Sequence, residues 1–168
     1  MAYTIYDASV PVMTRALTNL SNILDKAAAQ AKSEDRAASE LIGAQLAADM
    51  KPLTFQIQSA SDAAKGCAAR LAGIEPPSMP DTETTFPELK DRIAKTIALL
   101  NTIKPEQLAG AEDREIVLKF PNGEMKFTGR DFLAGFSLPN FFFHVTTAYA
   151  ILRHKGIAIG KMDFLGGV

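Results

Sequence analysis

Hydrophobic positions along the chain recur mainly at three- and four-residue steps, the spacing that places them on one face of a helix. Val12, Ala16, Leu20, Ile23 or Leu24 and Ala27 make such a stripe within a first segment running from Thr4 to about Lys32. Thr4 and Asp7 have the spacing of a capping box, and Pro11 requires that the helix either start near Ser9 or kink. After the charged turn Ser33–Arg36, residues Ala37–Ala48 are predicted helical with an interruption at Gly43. Asp49-Met50-Lys51-Pro52 marks a helix start or kink. Leu53, Ile57, Ala60, Ala64, Cys67 and Leu71 then form a second long stripe, with Gly73 as its C-cap. Pro76, Pro77 and Pro80 make residues 75–84 a loop. Thr85, Pro87 and Glu88 are the start signal of a third major helix, with Leu89, Ile93, Thr96 or Ile97 and Leu100 on its inner face and Ile103-Lys104-Pro105 at its end.

The period then changes. Glu115–Phe120 is β-branched and apolar, Glu124–Thr128 alternates, and Pro121-Asn122-Gly123 lies between them, which predicts a β-hairpin resting on the helices. Thr128 and Asp131 open a short helix through Phe136, which Pro139 breaks or kinks. Asn140–Lys155 is the last major helix, closed by Gly156, and the tail folds back through Phe164. Four major helices with alanine-rich faces predict a mainly α protein, a four-helix bundle with a β-hairpin between the third and fourth helices. One domain over residues 1–168 accommodates it.

Composition narrows the chemistry. The 168 residues include two histidines and one cysteine, so a three-histidine or Cys₄ metal site within one chain is excluded, as is an internal disulfide. Lys plus Arg number 18 against 19 Asp plus Glu, so no basic excess exists for a nucleic-acid backbone. No stretch is apolar enough to span a membrane, and residues 1–10 lack the features of a signal peptide. A cytoplasmic address is expected, with Cys67 reduced.

His144 is the chief candidate for chemistry. Its helix face reads Asn140, His144, Ala148 and Ile151 or Leu152, flanked by Phe141, Phe142 and Phe143. It is either a pocket histidine satisfied by one hydrogen bond or a ligand or general base. A helical metal pair would need a second ligand four residues on, where Ala148 stands. On the second major helix and the turn before it, Gln45, Asp49, Pro52, Gln56 and Ser59 share a face. Asp49 either caps the helix or pairs with His144. Gln56 is exposed or bridges the bundle. His154 beside Arg153 and Lys155 complements a helix C-terminus, and Cys67 on an apolar face is a buried, inert thiol. Serine nucleophile elbows, phosphate-binding loops and dinucleotide fingerprints are absent.

Four segments carry a resemblance. Asp49–Leu53, Gly110–Ile116, Leu138–Arg153 and Ile159–Gly166 together resemble a bacterial family of unknown function within the DinB/YfiT-like helical bundles, over nearly the whole chain. The resemblance implies a four-helix bundle, often dimeric. In the wider superfamily it implies a divalent metal on three histidines, one from the second helix and two on the fourth, and in some members thiol-dependent transferase or isomerase chemistry. Only His144 matches that set; Ala148 replaces its partner, and Asp49 is the nearest substitute on the second helix.

The expected function is therefore binding of a small molecule or partner in a pocket around Asp49, Gln56, Asn140 and His144. No cofactor is expected, and any metal would be held by His144 with Asp49. Homodimer formation is expected. The alternatives are a divergent metal- or thiol-dependent transferase and a purely structural or interaction dimer.

Overall fold

The structure is a computed structural model in which residues 3–167 are described. Four long helices make up its body: α1 (Val10–Ser33), α3 (Leu53–Ala72), α4 (Phe86–Thr102) and α6 (Leu138–His154). Short helices α2 (Ala38–Ile42), α5 (Gly129–Asp131) and α7 (Lys161–Leu165), two 3₁₀ turns and the strands β1 (Glu115–Phe120) and β2 (Gly123–Thr128) complete it. Around the bundle α3 packs on α4 and α6, and α1 closes the ring against the same two helices. The stripes of leucine, isoleucine and alanine converge on one core that includes Leu17, Leu20, Ile57, Leu71, Leu89 and Phe141.

The helix starts follow local chemistry. Thr85 accepts a bond from the Glu88 amide while the Glu88 carboxylate accepts one from the Thr85 amide, the reciprocal pair expected for α4. Thr4 and Asp7 form the same reciprocal pair, but it closes the turn before α1. The helix itself begins at Val10, with Pro11 in the first turn where its missing N–H is not needed. Gly73 at φ 72° ends α3 as the sequence predicts.

The helical expectation for Ala37–Ala48 is corrected beyond Ile42. Residues 45–49 are exposed and have no apolar face to bury, so α2 stops at Gly43. The chain loops back instead, the Leu53 amide donating to the Ala44 carbonyl at 2.9 Å. The hairpin is also shifted slightly. Its register runs from Glu115 opposite Thr128 to Phe120 opposite Gly123, so Pro121-Asn122 is the connection and Gly123 already belongs to β2.

The loop before α4 is tied down by side chains of α3 and α4, Gln58 donating to Glu83 at 3.0 Å and Arg92 bridging several partners. Arg92, buried on α4, donates to the Pro80 carbonyl and Glu83 at 3.0 Å and to Asp62 of α3 at 2.9 Å. Ser61 and Thr96 add a buried hydroxyl pair between α3 and α4 at 2.6 Å.

From Gly129 to His154 the chain is helical without interruption, but residues Phe132–Ser137 form a π-helical stretch between α5 and α6. Pro139 cannot donate to the carbonyl four residues back, and its ring crowds that carbonyl. Widening the preceding turns accommodates both effects, so the predicted break becomes a local change of pitch. Phe127 of β2 packs on Phe132 and Phe136 at 5.9 and 5.7 Å between centroids, which seats the hairpin on this stretch. The tail docks through α7. Phe164 meets Tyr149 edge-on, and Asn19 of α1 donates to the Phe164 carbonyl at 3.1 Å. Among the described residues no helix is long and apolar enough to cross a membrane.

Candidate functional site

His144 lies half-buried on α6, facing α3. Its Nδ1 is 2.8 Å from Oε1 of Gln56, a side chain that is 2% exposed. The orientation of that amide is set from behind, because Gln56 Nε2 donates to the Lys51 carbonyl at 3.0 Å. A carbonyl only accepts, so the amide nitrogen must face Lys51 and the amide oxygen must face the imidazole. Nδ1 of His144 therefore carries a proton. Burial pushes the imidazole below its ordinary range, so the ring is neutral near pH 7. Its Nε2 is left with a lone pair. Phe55 and Phe143 meet the ring edge-on at 6.1 and 5.2 Å and hold its plane.

The imidazole borders a cavity of about 380 Å³ between α3 and the last helical run. The α3 wall carries Ser59, Asp62, Ala63, Cys67 and Arg70; the opposite wall carries Phe132, Phe136, Ser137, Asn140 and His144. Residues Leu118–Phe120 of β1 form the third side. Ser137, the last residue of the π-helical stretch, precedes Asn140 and His144 by three and seven residues and lines the cavity on the same side. Cys67 is buried, and desolvation pushes its thiol up to about 12 despite the neighbouring Ser137 hydroxyl and Arg70 charge. It is a neutral wall group, as the sequence predicts for it.

Of the four candidate residues, Asn140 and His144 line the cavity and Gln56 holds His144 from behind. Asp49 does not join them. It is exposed in the turn before α3, and the position it was expected to cap is occupied by Pro52. The predicted carboxylate–imidazole pair is replaced by an amide–imidazole pair, because Gln56 lies on the helix proper and Asp49 on a loop that turns away. Gln56 is buried and makes the hydrogen bond across the bundle that was one of its two expected roles. Asp62, Arg70 and Ser137 were not anticipated. A signal existed: Ser59, Ala63, Gly66 and Arg70 recur at steps of four, three and four, a small and polar stripe beside the apolar one.

The donor set does not fit a three-histidine metal centre. His144 is a single imidazole that could ligate only through Nε2, Ala148 stands one turn on where a second histidine would be needed, and Gln56 offers an already occupied amide oxygen. Among the described residues no three histidine, cysteine, aspartate or glutamate side chains gather where they could hold a metal ion.

The architecture, four long helices with a hairpin before the last, is that of a DinB-like helical bundle. The chain belongs to the family described as Domain of unknown function (DUF1993), whose model matches residues 5–165. A crystal structure of a DinB family member protein from Shewanella denitrificans is similar throughout. It is 38% identical, with a TM-score of 0.91 over 98% of this chain and 93% of that one. No curated protein matches.

Proposed function

We propose that the cavity between α3 and α6 binds a small molecule, without a metal, and that His144 Nε2 accepts a hydrogen bond from it. The Lys51 carbonyl–Gln56–His144 chain supports this reading most directly. The buried amide fixes one tautomer of a half-exposed ring beside a cavity and leaves the second ring nitrogen as an acceptor. A neutral imidazole with a free lone pair recognises an O–H or N–H group, or takes a proton from one. The cavity volume suits a ligand of metabolite size. Calorimetry with a panel of metabolites tests the reading. At least one compound should bind, and His144→Ala should weaken it by at least about tenfold, the worth of one buried hydrogen bond to the ring. If no compound gives binding that His144→Ala abolishes or weakens, the reading fails.

A second reading is a divergent DinB-like transferase in which His144 acts as ligand or base. The same free Nε2 and the similarity to the DinB family member support it. Stoichiometric zinc or nickel in purified protein, lost on His144→Ala, together with thiol-dependent turnover, would favour it over the first. Both readings take the protein as a cytoplasmic homodimer, which sedimentation at several concentrations checks.

A further inference from the structure

We infer that the ligand of this cavity carries a small oxyanion, a carboxylate or phosphate group, held by the guanidinium of Arg70. The inference rests on the small-molecule reading above and specifies the ligand class. Arg70 lies in the cavity wall one turn after Gly66 and pairs with no carboxylate among the described residues. Its head group folds back over α3. A Cβ added at Gly66 would stand 2.4 Å from Nη1 and 3.7 Å from Cζ, so the guanidinium occupies the space a side chain at 66 would fill. Glycine is a poor choice in a helix interior, and here its absent side chain gives the Arg70 fork a seat in the cavity wall.

The other charges leave Arg70 unneutralised. Asp62, the carboxylate of the cavity wall, is already held by Arg92 at 2.9 Å and Lys65 at 2.8 Å. At the rim stands Lys119; its cross-strand neighbour Glu124 turns instead to Lys126 at 3.3 Å. Cys67 and His144 are neutral near pH 7. The site therefore presents a planar cationic fork, a second cation at its mouth, and the hydroxyl and amide groups of Ser59, Ser137 and Asn140. A planar five-donor fork matches the geometry of a carboxylate or phosphate. Across the cavity His144 Nε2 accepts, so the ligand pairs an oxyanion with a hydrogen-bond donor.

NMR titration of the full-length protein at low ionic strength with inorganic phosphate, acetate and the neutral analogue acetamide tests this. Phosphate and acetate should give saturable shifts at Arg70, Ser137 and Asn140. Arg70→Gln should weaken both anions by at least about tenfold while leaving acetamide unchanged. Gly66→Ala is the control for folding. It should displace the guanidinium and weaken both anions by about threefold or more, with a melting temperature that does not fall, since alanine is the better helix former. Anion shifts that survive both substitutions, or that spread over surface lysines with none in the cavity, overturn the inference. If acetamide or a metabolite occupies the cavity and the anions do not, the oxyanion assignment fails and the pocket reading stands. If nothing occupies it, both fail.

Discussion

At the scale of single residues, the site turns on which atom faces which. Lys51 supplies a carbonyl that can only accept, and this one fact propagates through Gln56 to define the proton position on His144. Gln56→Met keeps the volume and removes the relay. It should leave Nδ1 without its partner, cost about 1–2 kcal/mol, and shift the imidazole from the Nδ1–H tautomer to a mixture. Nitrogen chemical shifts of the His144 ring read the tautomer directly, and an unchanged tautomer would refute the relay. Asp49 had the right chemistry for this task and the wrong backbone, since a loop residue is not held in register with α6. Gln56 had been the less conspicuous residue because an amide carries no charge to mark it. Two turns of helix separate the positions in the linear pattern, and only packing shows which one meets the ring.

Helices and strands were legible where their signals are local. The Thr85–Glu88 box, Gly73 at the end of α3 and the paired hairpin strands follow from signals over a few residues, so sequence and structure agree on them. The π-helical stretch was not legible. Pro139 demands some relief, but whether the helix breaks, kinks or widens depends on what packs against it, here the hairpin through Phe127. The junction between β2 and α5 is equally non-local. Gly129 sits so close to the carbonyl of Ala111 that a Cβ there would lie 1.8 Å from that oxygen and 3.3 Å from Leu71 Cδ2. A backbone oxygen has nowhere to move without dragging the turn before β1. Gly129→Ala should therefore destabilise the protein by at least about 2 kcal/mol, measured by denaturant unfolding, although alanine favours helix. A neutral effect would mean that the hairpin and α5 are not locked together as described.

For the whole molecule, burial of His144 ties stability to pH. Its folded proton affinity lies below that of the unfolded ring, which titrates near about 6.5. In that range the unfolded chain binds the extra proton, so stability rises with pH. The contribution is level above about pH 6.5 and is lost as pH falls through the folded value. Wild type should lose stability as pH falls below about 6.5 more steeply than His144→Gln, in paired unfolding curves at fixed ionic strength. Parallel curves would show that the ring is not desolvated in solution.

The sequence by itself determined the four long helices and the hairpin, because hydrophobic period, caps and turn residues act within one element. Its residue counts also determined what a single chain lacks, three histidines or a second cysteine. Tertiary structure decided which polar face meets which. It placed Gln56 rather than Asp49 behind His144 and set Ser137, Asn140 and His144 opposite Cys67 and Arg70 across one cavity. These outcomes depend on distances between residues far apart along the chain, 88 positions for Gln56 and His144, fixed by packing across elements. No local pattern of hydrophobic and polar residues encodes such distances.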